Sequence, residues 1–330
     1  MVSSIDVAKH AGVSQTTVSR VLNTPHLVKG KTYKKVMRAI DELNYIPNGN
    51  ARSLVRQKTG TIALISGPLS NPFFVDTTTS IVNYASQFGY KINVHFAANN
   101  NLEETYNSVF ENKVDGIILS SILIKDPFYT KIVKSGIPFV LFNRKHESNE
   151  YFVEMDNERA GEMATSHLLE LGHTNISWVG GPLNMSTFKG RYNGYLRALR
   201  DSAIKLETEN IFLTNATMEE LSEVFLKIEK MKNKPTAICA ATDAIAISML
   251  NYFISAGYKI PDDISIIGID NVEISGHASI SLTTVGVASS AGLGHLAIEK
   301  LIHMIKEKDS TNVQITEDVK LFERKTVKRN

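Results

Sequence analysis

Eight residues, Asn71, Ser121, Asn143, Arg144, Arg191, Thr242, Asp243 and Asp270, stand at or just past the carboxyl ends of short apolar runs. Ligands of open α/β sheets bind where strands end in this way. A forked guanidinium, one or two carboxylates and several amides and hydroxyls suit the hydroxyls of a sugar, and Phe73 or Phe74 offers a ring for its apolar face. Asp156 or Asp243 could equally cap the helix that follows it. Catalytic and metal chemistry is poorly supplied. The sequence has no GxSxG, Walker A or CxxC motif, its nine histidines are scattered, and His167 and His173 lack metal-ligand spacing. Gly292-Leu293-Gly294 begins a GxGxxA, but no Gly-rich turn off a first strand precedes it, so helix packing explains it better than a dinucleotide. No catalytic residue, metal site or cofactor is expected.

The polar set must be positioned by the elements around it. Apolar runs predict strands at 61–65, 91–97, 116–121, 138–142, 151–156, 176–180, 237–241, 264–269 and 282–285. Helical stretches are expected between them, near 74–88, 102–112, 127–135, 158–171, 189–202, 218–231, 243–256 and 290–307. Such alternation, with Val/Ile-rich strands, indicates doubly wound parallel sheets. The strands are too many for one comfortable open sheet. The expectation is an α/β unit over 61–330 with two lobes and a cleft between them, lobe 1 at about 61–157 and 290–318, lobe 2 at about 158–289 and 319–330.

The first sixty residues differ in charge and pattern. They carry ten Lys/Arg against three acids, a net of +7, while the remainder carries 26 bases and 31 acids, a net of −5. A basic module joined to a mildly acidic one suggests a polyanion partner for the first part alone, or else a solvated basic surface. Ile5, Ala8 and Ala11 share one face of a short helix, and Gly12 suits a left-handed turn. Ser14 can then cap a second helix with Val18, Val21 and Leu22 on its apolar face. A four-residue link containing glycine is the helix-turn-helix arrangement, whose second helix enters a major groove. A third helix at about 31–44 buries Val36, Ile40 and Leu43 and presents Lys31, Lys34, Lys35 and Arg38, placed to meet phosphates. Residues 47–60 read as a hinge, since Pro47, Gly49 and Asn50 are poor helix formers and 51–55 is too short for an isolated helix.

Hydrophobic residues make up 43% and charged residues 21% of the 330, enough to bury a core. The longest apolar runs fall far short of the ~20 residues that span a bilayer, and no secretory pattern opens the sequence. The single Cys239, expected as a small buried hydrophobe, excludes an internal disulfide. A soluble protein of the cytoplasm, without membrane contact, is expected.

The stretch from Ile5-Asp6-Val7-Ala8 through Gly12-Val13-Ser14-Gln15-Thr16-Thr17-Val18-Ser19-Arg20-Val21-Leu22-Asn23 resembles the headpiece of the LacI/GalR family of bacterial transcriptional regulators. So do Leu43-Asn44-Tyr45-Ile46-Pro47-Asn48 and Ala51-Arg52-Ser53-Leu54. By that resemblance Gln15 and Thr16 occupy base-reading positions and Arg20 matches a base-contacting arginine. Glutamine can bond adenine, arginine guanine, and threonine offers a hydroxyl and a methyl. The DNA-facing set is then Ser14, Gln15, Thr16, Thr17, Ser19, Arg20, Asn23, Lys31, Asn48, Ala51, Arg52 and Leu54, with Thr17 and Ser19 suited to phosphates. In the family the hinge folds only on operator DNA, and the leucine matching Leu54 wedges into the minor groove. Alternatively Leu54 docks on the next domain. One departure is Lys29-Gly30-Lys31-Thr32, where the family has a Ser-Pro-Glu-Thr-like helix opening. Cap, first-turn proline and acid are all missing, costing about 1 kcal/mol or more.

The remainder resembles the same family's effector domain, itself similar to periplasmic sugar-binding proteins. The supporting phrases include Ser70-Asn71-Pro72-Phe73-Phe74, Val114-Asp115-Gly116-Ile117-Ile118, Asp156-Asn157, Thr242-Asp243 and Gly268-Ile269-Asp270-Asn271. The resemblance singles out Arg191 and Asp270 for effector contact. Asn143 stands where relatives often carry Asp, and Gly286-Val287-Ala288-Ser289 replaces a Gln-Pro. The expectation is a homodimeric, sequence-specific repressor that reads a pseudo-palindromic operator on double-stranded DNA. A small-molecule effector between the lobes, a sugar or sugar derivative, would control it. A phosphorylated carrier protein as the gate, or a cytoplasmic sugar-binding α/β protein with an incidental basic end, are the alternatives.

Overall fold

The computed structural model describes residues 2–46, 58–96, 102–307 and 312–330. They form two compact units, Met1–Gly60 and Thr61–Asn330. Asn48, Ala51, Arg52 and Leu54 of the expected hinge lie outside the described residues.

In the first unit Ser3 opens α1 (Ser4–Ala11) with a reciprocal capping box, its hydroxyl and backbone bonded to Asp6. Gly12, at φ +58°, turns the chain in a conformation that favours glycine. Ser14 then caps α2 (Gln15–Asn23) by accepting from Thr17 N at 3.2 Å. Helix α3 (Gly30–Glu42) begins at Lys29 without any side-chain cap. The core is Val7, Ala8, Ala11, Val18, Val21, Val36, Ala39 and Ile40, with Leu22 and Leu43 packed at its edge. Ile5 is a correction: it is 50% exposed, and Val7 fills the place given to it. Ile5 lies in the first turn of α1, beyond the reach of the two helices that cover Ala8 and Ala11.

From Thr61 the elements are β1 (Thr61–Ser66), α4 (Pro72–Gln87), β2 (Lys91–Phe96), α5 (Leu102–Glu111), β3 (Gly116–Leu119), α6 (Tyr129–Lys134), β4 (Phe139–Phe142), β5 (Phe152–Met155), α7 (Asn157–Glu170), β6 (Ile176–Gly180) and α8 (Ser186–Asp201). They continue with β7 (Ile211–Leu213), α9 (Met218–Lys230), β8 (Ala237–Ala240), α10 (Asp243–Ser255), β9 (Ser265–Ile269), β10 (Thr283–Val287), α11 (Leu293–Glu307), β11 (Gln314–Glu317) and β12 (Val319–Phe322). The strands make two six-stranded sheets, ordered β11-β5-β4-β3-β1-β2 and β12-β10-β9-β8-β6-β7. Every pairing is parallel except β10 with β12. Burial on both faces explains the unbroken apolar runs, as in β3 and β8, where every residue is buried.

Strands β7, β11 and β12 were not expected from the sequence. Each is three or four residues long, lies at a sheet edge and is only partly buried, so no apolar run marks it. The chain passes between the two sheets three times: at Asp156, over residues 288–292, and at Asp318. Helices α7 and α8 are packed so closely that a Cβ on Gly161 would lie 2.0 Å from the Arg191 carbonyl oxygen. No helix among the described residues is long and apolar enough to cross a membrane.

Candidate functional site

Helix α2 separates its residues cleanly. Val18 and Val21 face the core, while Gln15, Thr16 and Arg20 are exposed and Ser19 and Asn23 are half-buried. Thr16 and Arg20 lie one turn apart on the solvent face, where both can reach the edges of bases. Gln15 donates to Ser4 Oγ at 3.0 Å, and Asn23 to Ser19 Oγ at 3.2 Å. Ser14 and Thr17 bond each other at 2.9 Å and start the helix. Lys31, Lys34 and Lys35 are exposed on α3. Solvated cations there can neutralise phosphates.

The second unit brings the strand-end residues of both lobes together. Arg191 is fully buried on α8. Its Nε donates to Asn157 Oδ1 (3.0 Å), Nη1 to the Ala241 carbonyl (2.6 Å) and Nη2 to Asp270 Oδ1 (2.7 Å). Burial pushes the Asp270 carboxyl up, and Arg191 opposes that shift. Asn143 at φ +50°, Asp270 at +141° and Asn271 at +53° occupy left-handed backbone, which costs about 1–3 kcal/mol each and is typical of functional sites. Arg144 donates from Nε to the Ser120 carbonyl at 3.3 Å and lies 5.6 Å from the Phe188 ring. Burial, and then Arg191, lower its guanidinium to about 10. Ser121 sits beside the Tyr106 hydroxyl. A pocket of about 180 Å³ between the lobes is lined by Phe73, Met155, Asp270, Asn271, Val287 and Leu293 among others.

Several residues expected to touch a ligand are engaged elsewhere. Phe74 turns into the core against Gly67, leaving Phe73 as the ring at the pocket. Asn71 caps α4 through Phe73 N (3.0 Å), and Thr242 caps α10 through Ile245 N (3.2 Å). Asp156 caps α7 through Arg159 N (2.9 Å). Asp243 is not a cap. It is wholly buried and accepts from Val272 N (3.0 Å), Ser275 Oγ (2.6 Å) and Thr284 Oγ1, which ties the turn after β9 to β10. Burial and, secondarily, Asp270 raise its carboxyl to about 6.

Sequence reasoning missed Lys145, Glu154 and Asn157 as site residues. Lys145 Nζ is 2.5 Å from the buried Glu154 carboxylate, whose other oxygen accepts from Asn157 Nδ2 at 3.1 Å. Asn157 thereby joins the ion pair of one lobe to Arg191 and Asp270 of the other. Only its place after Asp156 hinted at this. The lobes also meet where Thr187 Oγ1 donates to the Asn143 carbonyl, Lys145 N to Ser186 Oγ (2.7 Å) and Glu273 N to Asp76 Oδ2 (2.9 Å). Cys239 is buried, and burial pushes its thiol up to about 12. The donors and acceptors of this cleft can hold a polar ligand.

A helix-turn-helix unit followed by two parallel-sheet lobes with a polar cleft defines a class of DNA-binding regulators. Residues 5–48 match the family described as bacterial regulatory proteins, lacI family, and residues 165–327 match a periplasmic binding protein-like domain. The HTH-type transcriptional repressor PurR of Aliivibrio salmonicida is 34% identical over 310 residues, 92% of each chain. The HTH-type transcriptional regulator DegA of Bacillus subtilis is 35% identical over 286 residues, 85% of each. The lac repressor dimer bound to operator and the anti-inducer ONPF has a similar structure, with TM-score 0.84 and 25% identity over 99% of both chains. So does the transcriptional regulator CelR in complex with cellobiose, with TM-score 0.73 and 25% identity over 99% of this chain and 100% of that one. The chain belongs to the lacI family of bacterial regulatory proteins. It is a DNA-binding transcriptional regulator and not an enzyme.

Proposed function

We propose that a small polyhydroxylated effector, a sugar or sugar derivative, binds between the two lobes and sets the affinity of paired headpieces for a pseudo-palindromic operator. One observation carries this reading: a small pocket takes its lining from both lobes, Phe73, Asp76 and Met155 from one and Asp270 and Asn271 from the other, and the buried Arg191 holds the Asp270 carboxylate. A ligand bridging them stabilises one lobe arrangement over another, with a coupling of typically about 1–3 kcal/mol. Pairing is supported by apolar residues left in solvent, Val75 and Val82 on α4, Met218 on α9 and Ile254 on α10. Base reading is assigned to Gln15, Thr16 and Arg20.

The test couples two readouts on the full chain. A thermal-shift panel of mono- and disaccharides, sugar acids, sugar phosphates, nucleosides and purines identifies binders. A ligand at ~100 times its Kd adds about 2.7 kcal/mol. Each binder is then added to an operator-binding titration and is expected to change DNA affinity roughly 5–150-fold. A panel without any shift, together with DNA affinity that responds to a protein partner alone, would remove the small-molecule reading.

A further inference from the structure

Of the three exposed residues of α2 assigned to base reading, Gln15 is held by a residue of another helix. It is the first residue of α2, at the end of a recognition helix that meets base edges. Its Nε2 donates to Ser4 Oγ at 3.0 Å, in the first turn of α1. Among the described residues no side-chain bond of this kind reaches Thr16 or Arg20. Ser4 is half-buried, and α1 does not need its hydroxyl as a cap, because Ser3 fills that place with Asp6. An amide has two unlike ends, a donor nitrogen and an acceptor oxygen. With the nitrogen turned back to α1, Oε1 is the end of Gln15 left without a protein partner.

We infer that Ser4 is a specificity-determining residue of the headpiece: it fixes the Gln15 amide so that Oε1 meets the base, and the base read there carries an exocyclic amino group, adenine or cytosine. The inference rests on the assignment of Gln15 to base reading and deepens it. In the major groove adenine N6 and cytosine N4 carry donor hydrogens, whereas guanine O6 and N7 and thymine O4 are acceptors. An untied glutamine can turn its amide over and donate to those acceptors, so it discriminates less. Ordering the side chain before DNA arrives also removes an entropy cost from binding. Ser4 is thus a positioning residue that acts through Gln15.

Selection of random-sequence duplexes by the full chain tests this, with wild type, Gln15→Ala, Ser4→Ala and Ser4→Thr compared at one salt concentration. The position read by Gln15 is the one that Gln15→Ala relaxes. There the wild type is expected to favour adenine or cytosine over guanine or thymine by roughly 3–10-fold, the worth of one neutral hydrogen bond. Ser4→Ala is expected to bring that ratio within about twofold while the other positions and the salt slope stay as they were. A merely structural role would weaken every position together. Ser4→Thr keeps the hydroxyl and restores the preference. The inference is overturned if the position favours guanine or thymine, if Ser4→Ala leaves its preference intact or weakens all positions alike, or if Ser4→Thr behaves as Ser4→Ala does. If Gln15→Ala relaxes no position, the base-reading assignment falls and this inference with it; if Gln15→Ala relaxes a position that Ser4→Ala does not, the inference alone falls.

Discussion

Arg191 and Asp270 are buried together at 2.7 Å, the guanidinium wholly and the carboxylate almost wholly out of water. Removing one partner of such a pair leaves the other charge buried and alone. Arg191→Met is therefore expected to destabilise the second unit by about 3–5 kcal/mol. Urea unfolding followed at Trp178, the only tryptophan, measures this, because that residue lies in the core of the second unit. A loss below about 1 kcal/mol would show that the pair is not what holds α8 to the end of β9. Loss of ligand binding in Arg191→Ala is consequently a poor test of direct contact.

The headpiece yields two distinguishable effects. Arg20→Ala is expected to cost about 1–3 kcal/mol of operator binding and to relax preference at one base position. Lys31→Ala should weaken all sequences alike and lower the slope of log K against log salt by about 0.9. Salt titrations with operator and scrambled duplexes separate the two. If Lys31→Ala selectively affected the operator, its role would be base reading.

The two units should respond to pH with opposite sign. In the headpiece the Ser3 hydroxyl holds Asp6 below the usual carboxylate range, and His10 and then Arg38 do the same for Glu42. Their contribution is present above the unfolded values of 3.8 and 4.5 and is lost as pH falls through the lower folded ones. Asp243 is the reverse: between its unfolded 3.8 and its folded value of about 6 the folded chain holds a proton that the unfolded chain has released. Stability from that group accordingly declines as pH rises across this window. Trp178 fluorescence in urea at pH 4 to 7 should show the decline, and Asp243→Asn should flatten it. Amide signals of α1 and α3 in NMR spectra report the headpiece trend.

The α7–α8 contact predicts a steric effect. A Cβ at Gly161 has no room against the Arg191 backbone, so Gly161→Ala must spread the helices. The expected loss is about 1–3 kcal/mol, from overpacking. Thermal unfolding measures it, and weakened effector binding should accompany it because Arg191 moves. An unchanged melting temperature would mean that the helices separate freely.

Much of this was legible in the sequence, and the failures have physical causes. The α/β class follows from strands buried on both faces, such as Gly116–Leu119, where every residue had to be small or apolar. Strands β11 and β12, each only four residues long and partly exposed, carry no such demand. Ile5 shows the limit of periodicity: helical spacing gives a face without saying how far the neighbouring helices extend along it. Asp243 shows another limit, because its partners Ser275 and Thr284 lie more than thirty residues away and nothing local distinguishes a cap from a buried tie. The same holds for Asn157, whose role depends on Glu154 behind it and Arg191 on a different helix.

Three separate passages of chain join the two sheets, and rigidly packed slabs tethered at three points have few ways to move. Sliding or twisting one slab over the other would strain all three tethers, whereas a scissor motion about the line through them strains none severely. The second unit is thus built to favour one coordinate of motion between its slabs. On the effector reading proposed above, a bound ligand sets that one angle, so ligands of quite different shape that set it alike give the same change in operator affinity.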